Sequence, residues 1–345
     1  MPQPRHSVVQ YLYVHAPGEA FAYPTMRAKA EVASVAARYL ECALVQAASL
    51  RLADTDCDLF FVLNVKDPRD TSVLGSRGVR LIEAMEDLGV KIVFAEYAHR
   101  HEAPIVEYVS SRYILDAIEA TTGDGGDVGR YLWFTDVDCV WPHPAAVFDR
   151  SPSEPEIGCL LIPYPADWDI MGATPQSLGE FGRELGPCPV PIPWVGGELV
   201  GGTPQALRQL VAACEALEAE AGVQPTQLAA EEHLLSLVGG LGRISFDNLW
   251  DVGRRVFTGG RHQGPRLDDP TDFGFWHLPL EKGLSFRRTA DALLAGRHDE
   301  LSRDFSDPRR MARRFNVAGA GLARRLRDDG WLAANRVRGM IERRR

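Results

Sequence analysis

Apolar positions along the chain follow two alternating periods. Val8–Val14 is an apolar run of strand length, and Val32, Val35, Ala36, Tyr39, Leu40 and Ala43 then recur at helical spacing. Leu59–Val65 predicts a second strand, Ile82, Met85 and Leu88 a short helix stopped by Gly89, and Lys91–Ala95 a third strand. Ile105, Val109, Ile114, Ala117 and Ile118 predict a helix ended by the TTGDGGD turn, and Tyr131–Thr135 a fourth strand. Strands alternating with helices imply an α/β fold, with a Rossmann-like, mostly parallel sheet covered by helices on both faces.

The second half is less regular. Ile157–Ile162 and Gly197–Val200 predict short strands. Residues 163–194 are rich in Pro and Gly and read as a long loop, a feature that is usually functional or disordered. Thr203 followed by Pro204 predicts a capped helix start. Its apolar face is Leu207, Leu210, Val211, Cys214 and Leu217, and Gly222 ends it. A further helix is expected over Leu228–Val238.

Composition narrows the class. The chain has 345 residues, 45% hydrophobic and 25% charged, with a net charge of −9. That is a soluble globular profile, and the acidic body excludes nucleic acid as a partner. The charge is uneven: residues 301–345 hold 13 Arg against five Asp or Glu. Met311, Phe315, Val317, Leu322, Leu326, Trp331 and Leu332 punctuate those arginines. A basic amphipathic tail fits docking on the acidic body first, and contact with an anionic membrane through 301–345 second. The six cysteines form no CxxC pair and have no His cluster beside them, which argues against zinc and for a reducing compartment. With no apolar stretch in MPQPRHSVVQ and no run of about 18 apolar residues, the expected location is cytoplasmic, or membrane-associated at the cytoplasmic face.

The chemistry concentrates in RYLWFTDVDCVW, where Asp136 and Asp138 follow the fourth strand. Ligands of open α/β sheets bind at the carboxyl ends of strands, and carboxylates at i and i+2 share one side. Mn²⁺ and Mg²⁺ take oxygen ligands and bridge carboxylates to a diphosphate. Asp54, Asp56 and Asp58 repeat the spacing but read as a solvated acidic turn; what distinguishes Asp136 and Asp138 is their place after the strand, among Trp133, Phe134 and Trp141.

Further on, VGGELVGGTPQALRQLVAACEALEAEAG is followed by QLAAEEHLLSLV and ISFDNLWD. Over residues 130–251 the order and spacing of these pieces resemble glycosyltransferase family 6, the histo-blood-group A/B transferases and α-1,3-galactosyltransferases. The matching pieces are Asp136-Val137-Asp138, Gly201-Gly202-Thr203, Glu231-Glu232-His233 and Leu249-Trp250-Asp251. The resemblance implies a GT-A fold over 1–290, with a nucleotide-binding half (1–141) and an acceptor and catalytic half (142–290), before a basic helical extension (291–345). It implies a metal-dependent retaining hexosyl transfer from a nucleoside-diphosphate sugar, with uridine as the nucleoside. The acceptor would be a hydroxyl of a glycan, a lipid-linked glycan or a small molecule.

It also implies roles. Asp136 and Asp138 would hold Mn²⁺ (or Mg²⁺) and the diphosphate, Glu232 would face the anomeric carbon, and Glu231 and Arg112 would contact the donor sugar. Tyr13, Val14 and His15 would hold the uracil ring. The family has a small residue where this chain has Glu198, so Glu198 is expected to shape the donor pocket. In FWHLPLEKG, Lys282 is assigned to the diphosphate, as in other metal-dependent retaining transferases. His277 is left out of the metal set because imidazole is not a required Mn²⁺ ligand. Trp168, Asp167 and Asp169 of the long loop are candidates for acceptor contact. The alternatives are an inverting GT-A transferase of another family, or a catalytically inactive nucleotide- or glycan-binding protein.

Overall fold

The computed structural model describes residues 5–16, 32–53, 55–100, 109–123, 130–151, 155–222, 228–258 and 270–317. In chain order the elements are β1 (Arg5–Leu12), α1 (Val32–Leu52), β2 (Asp58–Leu63), α2 (Thr71–Asp87), β3 (Val90–Phe94), a 3₁₀ turn (Val109–Arg112), α3 (Tyr113–Thr122), β4 (Arg130–Thr135), β5 (Cys139–Val140), α4 (Pro144–Phe148) and β6 (Ile157–Ile162). There follow α5 (Pro175–Leu185), β7 (Trp194–Gly202), α6 (Pro204–Ala221), α7 (Glu231–Gly240), β8 (Phe246–Asn248), β9 (Gly253–Arg255), a 3₁₀ turn (Pro270–Asp272) and β10 (Phe275–His277). A π turn (Lys282–Phe286), α8 (Arg287–Leu294), α9 (His298–Phe305) and α10 (Pro308–Arg314) complete the described chain.

Seven strands form a mixed, mostly parallel sheet in the order β3-β2-β1-β4-β7-β6-β8. β1 runs parallel to both β2 and β4, while β7 is antiparallel to β4 and β6. Alternation of side chains then builds a core on each face. Val8 and Leu12 of β1, with Tyr131 and Trp133 of β4, pack toward α1; Val9, Tyr11, Leu132 and Phe134 pack toward α3, α6 and α7. Continuous apolar strands are what a sheet covered on both sides requires. Gly201 of β7 is there for close approach, since a Cβ at that position would run into the Trp133 ring. A second sheet, β5-β10-β9, forms beside the carboxyl end of β4.

Three expectations change. Residues 163–194 are not all loop, because they contain α5. Ser177 N donates to Thr174 Oγ1 (3.0 Å) and Thr174 N to Ser177 Oγ (2.9 Å) at a start that also carries Pro175. The strand read as Gly197–Val200 runs from Trp194 to Gly202. The boundary expected at 290/291 falls inside α8, and Leu301, Phe305, Met311 and Phe315 are buried in the same core as α1. The chain through Val317 is thus continuous with the body. Residues 318–345, with Leu322, Leu326, Trp331, Leu332 and the expected membrane contact, lie outside the described residues, as does Ile105. No helix among the described residues is long and apolar enough to cross a membrane.

Candidate functional site

The site grows from the end of β4. After Thr135 the chain turns through Asp136, Val137 and Asp138 into β5, with the Asp136 N–H donating to Glu198 C=O of β7 at 3.3 Å. β10 pairs antiparallel with β5 so that His277 sits opposite Cys139, and the Leu278 N–H donates to Asp138 C=O at 2.9 Å. β9 runs parallel to β10 with Arg255 beside His277. Strand register alone therefore brings Asp138, His277 and Arg255 to one place from three distant parts of the sequence.

His277 Nε2 lies 3.1 Å from Asp138 Oδ2 and 3.7 Å from Asp136 Oδ2. Lys282, on the turn after β10, places Nζ 2.8 Å from Asp138 Oδ2. Tyr11 OH donates to Asp136 Oδ1 at 3.0 Å. One ligand atom from each of Asp136, Asp138 and His277 lies within 4.8 Å of the others, so the three could hold a metal ion. Burial alone would raise the Asp138 carboxyl, but Lys282 and then His277 outweigh it and hold Asp138 below the usual carboxylate range. For His277, burial opposes the charged ring, yet Asp138 and Glu198 push it up to about 9.

Behind this cluster is a second one. Arg255 grips Glu198 with Nε (2.8 Å to Oε1) and Nη2 (2.6 Å to Oε2), bonds Tyr164 OH at 2.9 Å, and pairs with Glu232. The other Glu232 oxygen accepts from Trp194 Nε1 at 2.7 Å. Burial works against the Glu198 charge, but Arg255 and His277 hold its pKa below the ordinary value. Glu231 differs. It packs against Gly197, where a Cβ would collide with its carboxylate, and its Oε2 has no hydrogen bond. Burial first, then the charges of Glu232 and Asp136, raise Glu231 to about 8. Both glutamates open α7, where the helix dipole favours carboxylates.

A cleft of about 350 Å³ joins these groups. Asp136, Asp138, His277, Lys282, Glu231, Glu232 and Arg255 line it, as do Tyr11, Tyr13, Ser110, Ser111 and Met171. The other sequence candidates sit elsewhere. Glu198 is fully buried behind the lining, clamped by Arg255. Arg112 is also buried, pairing with Glu218 of α6, while its neighbours Ser110 and Ser111 face the cleft. Val14 and His15 line a small side pocket with Tyr39, and both backbone groups of Val14 are taken by the Asn64 amide (2.7 and 2.9 Å). Trp168 stacks parallel on Tyr164, and Asp167 and Asp169 do not line the cleft. His233 holds the backbone, 3.1 Å from Ile170 C=O, while Asp251 pairs with Arg150 away from the site.

Sequence reasoning left out His277 and never reached Arg255. The signal for His277 was its position inside the apolar run FGFWHLPL, which reads as a strand that would bury an imidazole. Arg255 lies in a short stretch, GRRV, with no period to read.

No family model matches the chain, and no curated protein matches it. Among solved structures the chain is similar to the galactosyltransferase LgtC in complex with donor and acceptor sugar analogs, at 11% identity over 86% of this chain and 95% of that one, with a TM-score of 0.45. It is also similar to mouse xyloside xylosyltransferase 1 in its apo form (11% identity, 73% and 88% covered, TM-score 0.45). A third is the apo structure of the WbbM bifunctional glycosyltransferase (11% identity, 79% and 45% covered, TM-score 0.49).

Proposed function

We propose that the chain is a metal-dependent retaining glycosyltransferase that moves a hexose from a nucleoside-diphosphate sugar, with uridine as the nucleoside, to a hydroxyl acceptor. One observation carries the reading: Asp136, Asp138, His277 and Lys282 line the same cleft as Glu231 and Glu232. A divalent ion fits the donor set of two carboxylates and one imidazole, whose ligand atoms lie within 4.8 Å of one another. Mn²⁺ or Mg²⁺ held there supplies neutralisation of charge on the departing diphosphate. Lys282 adds a fixed ammonium beside it. Glu232, oriented by Arg255 and Trp194, supplies negative charge toward the anomeric carbon. Glu231, protonated at neutral pH, offers its proton as a hydrogen-bond donor to a sugar hydroxyl. Tyr13 offers a ring for the nucleobase.

Retention needs either a covalent glycosyl intermediate on a carboxylate or same-face attack guided by the leaving diphosphate. Both Glu232 oxygens are already bonded, which favours the same-face route. The test is a screen of UDP-hexoses and their N-acetylated forms, with simple glycoside acceptors, in Mn²⁺ and in EDTA, read by mass spectrometry. Transfer or slow hydrolysis that needs Mn²⁺, with an α product by anomeric proton coupling, is expected. Equal turnover in EDTA refutes the metal, a β product refutes retention, and no turnover of any nucleotide sugar refutes the transferase.

A further inference from the structure

The helical layer over the other side of the sheet holds chemistry that the cleft does not use. α3 and α6 pack against each other, and His99 of the segment after β3 lies beside Glu119 of α3 and Glu215 of α6. Asp116 of α3 fixes that segment: its Oδ1 accepts from the backbone N–H of Ala98 (2.7 Å) and of His99 (3.2 Å). The result is a His99 imidazole only 9% exposed.

Around this ring stand carboxylates from both helices. Glu119 Oε2 lies 3.2 Å from His99 Nε2, and Glu215 Oε1 lies 3.9 Å from Nδ1. One ligand atom from each of the three lies within 4.8 Å of the others. Yet Nε2 is buried and makes no hydrogen bond. An imidazole nitrogen and a carboxylate oxygen this close, but out of line for a hydrogen bond, have the spacing of two neighbouring ligands on one ion. With metal–ligand distances of about 2.0–2.2 Å, tetrahedral neighbours sit roughly 3.3–3.6 Å apart. α6 also turns Glu218, one helical turn after Glu215, toward α3, and that carboxylate is matched by Arg112.

We infer that His99, Glu119 and Glu215 form a second metal site, for a dication of the zinc class, separate from the cleft. An imidazole with two carboxylates is a donor set such ions take, with the fourth position open to water. His99 is the fixed anchor, while Glu119 and Glu215, more than half exposed, close on the ion. The ion would staple the segment after β3 to α3 and α6. The inference does not depend on the proposed transfer activity.

The experiment is calorimetric titration of the full chain with ZnCl₂, together with thermal unfolding. Both are done in an Asp136→Asn/Asp138→Asn background that weakens the cleft as a competing site. One equivalent of Zn²⁺ with an upward thermal shift is expected. His99→Ala should weaken binding about tenfold or more and remove the shift, and Glu215→Gln, at an exposed position that folding tolerates, should weaken it too. No binding in the background, or unchanged stoichiometry and affinity in Glu215→Gln and in folded His99→Ala, overturns the site. If His99→Ala fails to fold by circular dichroism, Glu215→Gln and Glu119→Gln decide.

Discussion

Replacing Arg255 with methionine tests how the charges behind the cleft are balanced. The guanidinium is mostly buried, bonds both oxygens of Glu198 at 2.8 and 2.6 Å, and pairs with Glu232. Methionine fills much of the volume but leaves two buried carboxylates without their cation. Breaking a buried ion pair by removing one partner costs about 3–5 kcal/mol. Twice that is not expected, because His277 Nδ1 remains 3.4 Å from Glu198 and Trp194 still bonds Glu232 at 2.7 Å. A loss of about 4 kcal/mol at pH 8 is the working figure, a large share of the roughly 5–15 kcal/mol typical of a folded protein.

The pH dependence gives the sign. In the wild type Glu198 is held below its ordinary value of 4.5, so its contribution is complete above that value and fades only in stronger acid. Without Arg255, burial raises the same carboxyl, so the penalty is complete above the raised value and shrinks as acid protonates the group. The gap between wild type and variant should narrow from pH 8 to pH 5. Adding Glu198→Gln to Arg255→Met should restore more than half of the loss, since the one carboxylate then left without the guanidinium is Glu232, which Trp194 still bonds. The assay is urea unfolding followed by tryptophan fluorescence, in EDTA so that bound metal does not contribute. A loss under about 1 kcal/mol, or no rescue by the second substitution, refutes the assignment of Arg255 as the counter-ion of Glu198.

Three other outcomes are expected. Asp138→Asn should keep the fold by circular dichroism but lose Mn²⁺-stimulated turnover by at least two orders of magnitude, about 3 kcal/mol of transition-state stabilisation; wild-type turnover would remove Asp138 from the metal set. Truncation after Glu300 should abolish cooperative unfolding, because Leu301, Phe305, Met311 and Phe315 are each buried and each contributes roughly 1.5–3 kcal/mol; a sharp, wild-type-like melt would contradict that. Glu231→Gln should change the pH profile of stability. The wild-type carboxyl is raised to about 8, so the unfolded chain ionises first and stability falls between pH 4.5 and pH 8. The glutamine variant, measured by urea midpoints in EDTA, should lack that fall and be the more stable protein at pH 9; parallel profiles would contradict the shift.

The sequence carried the sheet well, for a physical reason. β1, β2 and β4 are covered on both faces, so their runs are mostly apolar and stand out even without alternation, whereas the edge strand β3 is read from Val90, Ile92 and Val93 although Lys91 and Phe94 are exposed. Capping was equally legible, with Thr203 and Pro204 opening α6 and Gly222 at φ 64° closing it. The loop expected at 163–194 hid α5 because Pro and Gly flank a helix whose apolar stripe is only Leu178 and Phe181. The tail boundary failed because arginines dominate the count there, whereas burial depends on four apolar residues spaced along α9, α10 and the residue after it. At the site, Asp136 and Asp138 could be read from their place after a strand. Arg255 and His277 could not be paired from sequence, because their adjacency is a matter of register between two three-residue strands, β9 and β10. The same register explains why Glu198, expected to shape the donor pocket, sits behind the cleft lining as the partner of Arg255 and His277.

Glu231 and Glu232 show how two identical side chains in sequence acquire different chemistry. They share a helix start and the same dipole, so the difference must come from what each carboxylate meets. Glu232 points at the β7–β9 side, where Trp194 and Arg255 each take one oxygen. Glu231 points at Gly197, whose missing side chain makes the room but supplies no donor, and the Ser111 hydroxyl beside it is outweighed by burial and by the charges of Glu232 and Asp136. Desolvation that the Ser111 hydrogen bond does not offset favours the protonated form of Glu231, which is raised to about 8. The glycine at 197 is therefore as much a part of this arrangement as the glutamates. A Cβ there would stand 2.3 Å from Glu231 Oε1, so any side chain at 197 forces the carboxyl out of this position.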